Sequence, residues 1–380
     1  MNTNKALFYS LLCALLFVGC GDDSSADAGA DSSMSDVFVA DAAPDATADG
    51  GSCVPRAEDQ APPGPGVCEA LPTDYAVCAD DMWPACVSDS GEYVRVEETI
   101  STIVRVGGFE RIADLLFDAG STPSSDDFLA ARMIYQEDEG LDSRVVRRYD
   151  PHFEVPDGTD CSEELIPGMF MDYCTGPAQI QPILLDALMR GFEEESPRFH
   201  AGRVEGALLR FLYVSTYKEG LTCTTKAKDC DSAYAYYTGG AEARGGLGLA
   251  GRVAAADPAA HDRAWDGLLA LRCWRDLDAE ETATNLELRE RARDQYDRAI
   301  LDGVAAVVTQ HLVALRDTTG EEQGYHFGFF QALAPVLERE TRARMPAQAD
   351  LLVTELGRDD AGAVDADALI AALGMVFDCP

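Results

Sequence analysis

Apolar residues return every three to four positions through most of the chain after residue 93, and this period restricts the fold more than any other feature. Ile180, Ile183, Leu184, Ala187, Leu188 and Phe192 form one stripe. Val204, Ala207, Leu208, Phe211 and Leu212 form a second. Ile300, Leu301, Val304, Val307, Val308, Leu312 and Leu315 form a third, and Phe329, Phe330, Leu333, Val336 and Leu337 a fourth. Residues so spaced lie on one face of a helix and are buried by packing that face on another helix. Strand signals are sparse. The spacing predicts an all-α domain over residues 93–380, about ten helices packed as antiparallel pairs in a bundle or array. Pro197, Pro258, Pro335 and Pro346 punctuate the pattern. Pro335 interrupts the fourth stripe and is expected to kink it.

Residues 53–92 are rich in Pro, Gly and Cys, without sustained periodicity, and read as a loop-rich lead-in. The chain has twelve Cys. Cys13 falls in an apolar leader and Cys20 in a lipidation motif. The remaining Cys53, Cys68, Cys78, Cys86, Cys161, Cys174, Cys223, Cys230, Cys273 and Cys379 are even in number, which in an exported chain implies disulfides. Locality favours Cys161–Cys174 and Cys223–Cys230. It leaves Cys273–Cys379 as a long-range staple and the first four as an N-terminal knot. No Cys-x-x-Cys occurs, which argues against structural zinc.

Residues 1–20 carry the pattern of a secretory signal: Lys5, an apolar stretch over 6–18, then Leu16-Phe17-Val18-Gly19-Cys20. This resembles a bacterial lipobox, whose Cys is acylated and becomes the mature N-terminus. Cys20 is therefore expected to anchor the protein in the bacterial cell envelope, at the outer membrane, through fatty-acyl chains such as palmitate. Each buried methylene of such a chain contributes roughly 0.8 kcal/mol. Residues 21–52 follow as a tether. Over 21–51 there are eight Asp and no Lys, Arg or Glu, among mostly Ala, Ser and Gly. Such a segment cannot offset its ordering entropy and is expected to be disordered and extended.

The formal net charge is −37, from 67 acidic and 30 basic residues. A polyanion repels phosphate, which argues against nucleic acid and anionic headgroups as partners and leaves the lipid as the expected membrane contact. The N-terminal run is the one apolar stretch near membrane length.

Five His are present: His152, His200, His261, His311 and His326, and the last four begin or sit on apolar stripes. Glu322 and His326 stand at i,i+4, where both side chains share a helix face and could hold one metal ion. Glu205 shares a helix with His200 and points partly inward. Carboxylate and imidazole groups from facing helices are how helical bundles build iron sites, although the paired Glu-x-x-His motif is absent. Tyr234, Tyr236 and Tyr237, followed by Glu242, offer oxygen ligands suited to Fe(III). Their alternative is helix packing with hydroxyls at the surface. Asp359-Asp360-Ala361-Gly362 reads as a turn and helix cap, because an EF-hand register would place Gly357 and Ala368 at ligand positions. No Gly-x-Ser-x-Gly or His-Glu-x-x-His occurs, and nothing names an enzyme.

Two segments resemble known proteins. Asp231-Ser232-Ala233-Tyr234-Ala235-Tyr236-Tyr237-Thr238-Gly239-Gly240-Ala241-Glu242 is similar to a segment of the algal low-iron-inducible periplasmic (iron-assimilating) protein family. The run Glu322-Gln323-Gly324-Tyr325-His326-Phe327-Gly328-Phe329-Phe330-Gln331-Ala332-Leu333-Ala334-Pro335 is similar to that family's late helix. The resemblance implies an exported helical protein of iron uptake, with Tyr237, Glu242, Glu322 and His326 as candidate iron ligands. Arg198-Phe199-His200-Ala201 resembles the Gly-x-His-x-x-Glu helix of imelysin-like iron-regulated lipoproteins, with Glu205 five residues after His200. The expected function is that of an envelope lipoprotein that binds iron or another metal, with a non-catalytic structural or protein-interaction lipoprotein as the alternative.

Overall fold

The structure, a computed structural model, describes Tyr93, Arg95 and residues 100–137, 140–241, 245–277 and 286–377. Among these the regular elements are helices, as the spacing predicts, and no strand is present. In chain order they are α1 (Thr102–Leu116), α2 (Ser125–Gln136), the single turns α3 (Asp142–Val145) and α4 (Ile166–Met169), α5 (Gln181–Phe192), α6 (Pro197–Thr222) and α7 (Lys228–Thr238). Then come α8 (Leu249–Ala256), α9 (Pro258–Leu277), α10 (Leu286–Asp317), α11 (Glu321–Leu333), α12 (Glu338–Arg344), α13 (Pro346–Leu356) and α14 (Ala366–Phe377). The expected signal, tether and Cys-rich lead-in lie outside the described residues, as do Cys53, Cys68, Cys78, Cys86, Cys379 and Glu242.

Three of the four punctuating prolines start helices: Pro197 opens α6, Pro258 α9 and Pro346 α13. Proline suits a first turn, where its missing N–H has no intrahelical partner to lose. Pro335 acts differently from the expected kink. It ends α11, and the chain passes through a 3-10 turn over Ala334–Leu337 before α12 begins. A proline ring inside an α-helix clashes with the preceding turn, and the tighter 3-10 turn relieves that clash while Leu333 and Leu337 stay buried.

The core forms around α6, which packs on α5, α7 and α11, while α10 packs on α9, α11 and α14. From Val204 to Tyr217 every residue of α6 is buried. A helix covered on all sides is a core helix, and the polar side chains it carries are forced inside. Glycines set the closest approach. A Cβ on Gly206 would lie 2.7 Å from the Phe329 carbonyl oxygen and 2.9 Å from the Ala332 Cβ, and one on Gly202 would overlap the Tyr325 carbonyl. Only hydrogen at these positions lets α11 lie against α6.

The stripes are largely buried as expected, apart from Phe192, which faces solvent. A second stretch of membrane length corrects the sequence reading: Arg289–Asp317 of α10 is long and apolar enough to cross a bilayer. Most of it is buried inside the protein, as in a soluble core helix. The disulfides Cys161–Cys174 and Cys223–Cys230 form as locality favours. At the expected turn, Asp360 accepts a hydrogen bond from the Gly362 N–H and Asp365 one from the Ala368 N–H, so both carboxylates serve as caps.

Candidate functional site

The close α6–α11 crossing brings several of the sequence-nominated residues together, with arginines between them. Glu205 is buried, accepts a hydrogen bond from the Tyr325 hydroxyl and lies 3.1 Å from Arg252 Nε. Burial pushes its carboxyl above the usual range, while Arg252 and Tyr325 oppose that shift. Glu322 stands half exposed on the first turn of α11, where Arg198 Nη2 donates to its Oε2 at 2.7 Å. The Arg198 guanidinium also covers the Tyr325 ring at 4.4 Å.

Glu322 and His326 do share a face, with Oε1 3.5 Å from Nε2. The other ring nitrogen of His326, Nδ1, lies 3.1 Å from His311 Nδ1, so one imidazole donates and the other accepts. Burial and the neighbouring His326 push His311 down to about 3, and burial also lowers His326. The pair is neutral, as metal-ligating imidazoles are. No group of three or more His, Cys, Asp or Glu among the described residues is placed to hold a metal ion.

The other nominated residues point elsewhere. His200 is buried, its Nδ1 3.4 Å from Arg203 and its ring edge-on to Phe199. Burial first, and Arg203 second, hold it down at about 4. Tyr237 is fully buried on α7, its hydroxyl 3.0 Å from His261 Nδ1. Burial raises that phenol well above its usual value, which disfavours the phenolate a ferric ion would want. Tyr234 and Tyr236 are buried as well, so the alternative of hydroxyls at the surface is corrected too. The Tyr236 hydroxyl accepts from Arg148 at 3.1 Å. The physical reason is the position of α7, packed against both α6 and α9.

A different site emerges where α6 meets the 150–153 turn and the Pro335 break. Here a cavity of about 330 Å³ is walled by Phe153, Pro335, Val336 and Ala343 and lined by charged and polar groups. Arg210, from the buried stretch of α6, is nine-tenths buried. Its Nη2 donates to Thr175 Oγ1 at 3.0 Å and to Gln179 Oε1. No carboxylate among the described residues lies within ion-pair distance. Burial pulls the guanidinium down to about 10, opposed by the more distant charges of Asp150 and Asp172. Both aspartates line the same cavity.

Behind one wall sits a buried charge network. His152 Nδ1 lies 2.6 Å from Asp150 Oδ1, its Nε2 3.1 Å from Asp297 Oδ2, and its ring stacks on Tyr217 at 3.6 Å. Tyr213 donates to Asp297 Oδ1 at 2.8 Å, and Arg339 reaches Asp297 Oδ2 at 3.4 Å. Burial favours the neutral ring, but the charge of Asp297 and the hydrogen bonds of Asp150 and Asp297 prevail, so His152 is raised to about 9. Burial acts in the opposite sense on Asp297, and His152 and Arg339 hold its carboxyl below the usual range. This network fixes Asp150 and Tyr213 on the cavity wall.

The sequence reading missed both Arg210 and His152. A signal for Arg210 was present: it interrupts the apolar run Ala207-Leu208-Leu209-Arg210-Phe211-Leu212, where helix burial leaves no solvent-facing side. His152 was the one His off any apolar stripe, and its partner Asp297 is 145 residues away. No protein-family model, curated protein or solved structure matches the chain.

Proposed function

We propose that this protein is an exported, lipid-anchored binding protein that holds a small ligand in the cavity beside Arg210. The observation that carries the reading is a buried guanidinium facing a cavity without a carboxylate partner. An uncompensated buried charge is costly, and proteins retain one chiefly where something pairs with it. The cavity falls at the lower end of the size range of small-molecule sites, and its apolar walls with a few convergent polar groups match their usual make-up. The lipobox at Cys20 and the Asp-rich tether support display from the cell envelope.

The test is a thermal-shift screen of polar metabolites against the wild type and Ala343→Trp, which fills the cavity mouth from an exposed position. At least one compound is expected to stabilise the wild type and not the variant. A screen with no such compound refutes the reading. Iron at Glu322 and His326 is the second reading, supported by the i,i+4 pair alone, with Oε1 3.5 Å from Nε2. It is less favoured because Arg198 already neutralises Glu322.

A further inference from the structure

We propose, resting on the binding reading above, that the ligand is a zwitterionic amino acid with an apolar side chain, its carboxylate on Arg210 and its ammonium group facing Asp150 and Asp172. The division of labour within Arg210 is the first support. Its Nη2 is occupied by Thr175 and Gln179, while Nε and Nη1 make no hydrogen bond to the described residues. The guanidinium is thus held in place by neutral partners with donors to spare. Nε and Nη1 lie on different edges of the guanidinium, so a ligand carboxylate takes one charge-assisted hydrogen bond from either of them.

The second support is the state of the two aspartates. Asp172 accepts one hydrogen bond, from Gln179 at 3.1 Å, and has no cation within ion-pair distance among the described residues. Asp150 uses Oδ1 for both the backbone N–H and the ring of His152, and its Oδ2 accepts nothing from the described residues. Each carboxylate therefore keeps an oxygen for an ammonium group. Asp150 and Asp172 both act on Arg210 through space, yet neither closes an ion pair with it. Of the other charged groups lining the cavity, Arg339 is paired with Asp297, Arg342 with Glu338 and Asp150 with His152, which leaves Arg210 and Asp172 as the opposite charges that a zwitterion would match.

The third support is charge balance. A zwitterion brings no net charge, so the −37 field of the chain does not oppose its approach as it would a plain carboxylate. Phe153, Pro335, Val336 and Ala343 give the apolar side chain a surface to cover.

The experiment is calorimetric titration of the full chain with L-leucine, L-valine and L-phenylalanine, with isocaproate and isoamylamine as single-charge controls. At least one amino acid is expected to bind, and each control about tenfold or more weakly, since each leaves one site charge unmatched. Arg210→Met is expected to abolish binding. Asp172→Asn, at an exposed position where folding is not at stake, is expected to weaken amino-acid binding about tenfold and isocaproate binding little. Amino-acid binding that survives in both variants overturns the proposal. If none of the three amino acids binds while another compound stabilises the wild type and not Ala343→Trp, the zwitterion inference fails and the binding reading stands. If no compound of any kind does so, both fail.

Discussion

Replacing His152 with Gln should remove a stabilisation that depends on pH in a direction fixed by the structure. The ring titrates near 6.5 when unfolded and near 9 when folded. A raised folded value means that the native state holds the proton more tightly. The contribution is therefore complete below pH about 6.5 and lost as pH rises through about 9. A shift of this size corresponds to about 3 kcal/mol, at about 1.4 kcal/mol per pH unit. Solvent screening reduces it little, because the side chain is 6% exposed. The figure describes one interaction with Asp150 and Asp297 and is not to be added to the lowering of Asp297. The assay is urea denaturation of wild type and His152→Gln at pH 6 and pH 10. The variant should be less stable at pH 6, and the gap should narrow by about 3 kcal/mol at pH 10. A gap that is constant with pH, or that widens on going alkaline, would refute the reasoning.

Gly206→Ala should destabilise the protein by about 1–3 kcal/mol, because the new methyl meets the α11 backbone; chemical denaturation measures it, and a neutral effect would mean that α6 and α11 can separate freely. Cys161→Ser/Cys174→Ser should cost roughly 3 kcal/mol through the loop of 13 residues that the bridge closes, read from the shift in denaturation midpoint. Iron titrated by calorimetry into wild type and Glu322→Ala/His326→Ala should show no site lost in the variant; a site present only in wild type would restore the iron reading. Cys20→Ser should move the protein from membrane to soluble fractions on cell fractionation, and retention at the wild-type level would rule out acylation at Cys20.

Local chemistry was legible in the sequence where one helix face decides the outcome. The stripe Val204, Ala207, Leu208, Phe211 and Leu212 marks a buried face, and all five residues are buried. Pro197, Pro258 and Pro346 mark real helix starts. The two short-range disulfides were legible because chain proximity favours them. Spacing on one helix also correctly put Glu322 beside His326. It could not show that Arg198, 124 residues earlier in the chain, takes Glu322. Nor could it bring Asp297 to His152 or leave Arg210 facing a cavity. These depend on which helices become neighbours, and the period of a single helix carries no record of that. Pro335 was misread for a related reason: a proline at the end of a stripe can kink a helix or end it, and the packing of Leu333 and Leu337 decides which.

The most direct test of the Arg210 cavity as a binding site is a crystal structure of the protein grown with whichever of leucine, valine or phenylalanine binds. Density for one amino acid between Arg210 and Asp172, with its side chain against Phe153 and Val336, is the expected result. A cavity holding only water, with the amino acid bound elsewhere or nowhere, would contradict it.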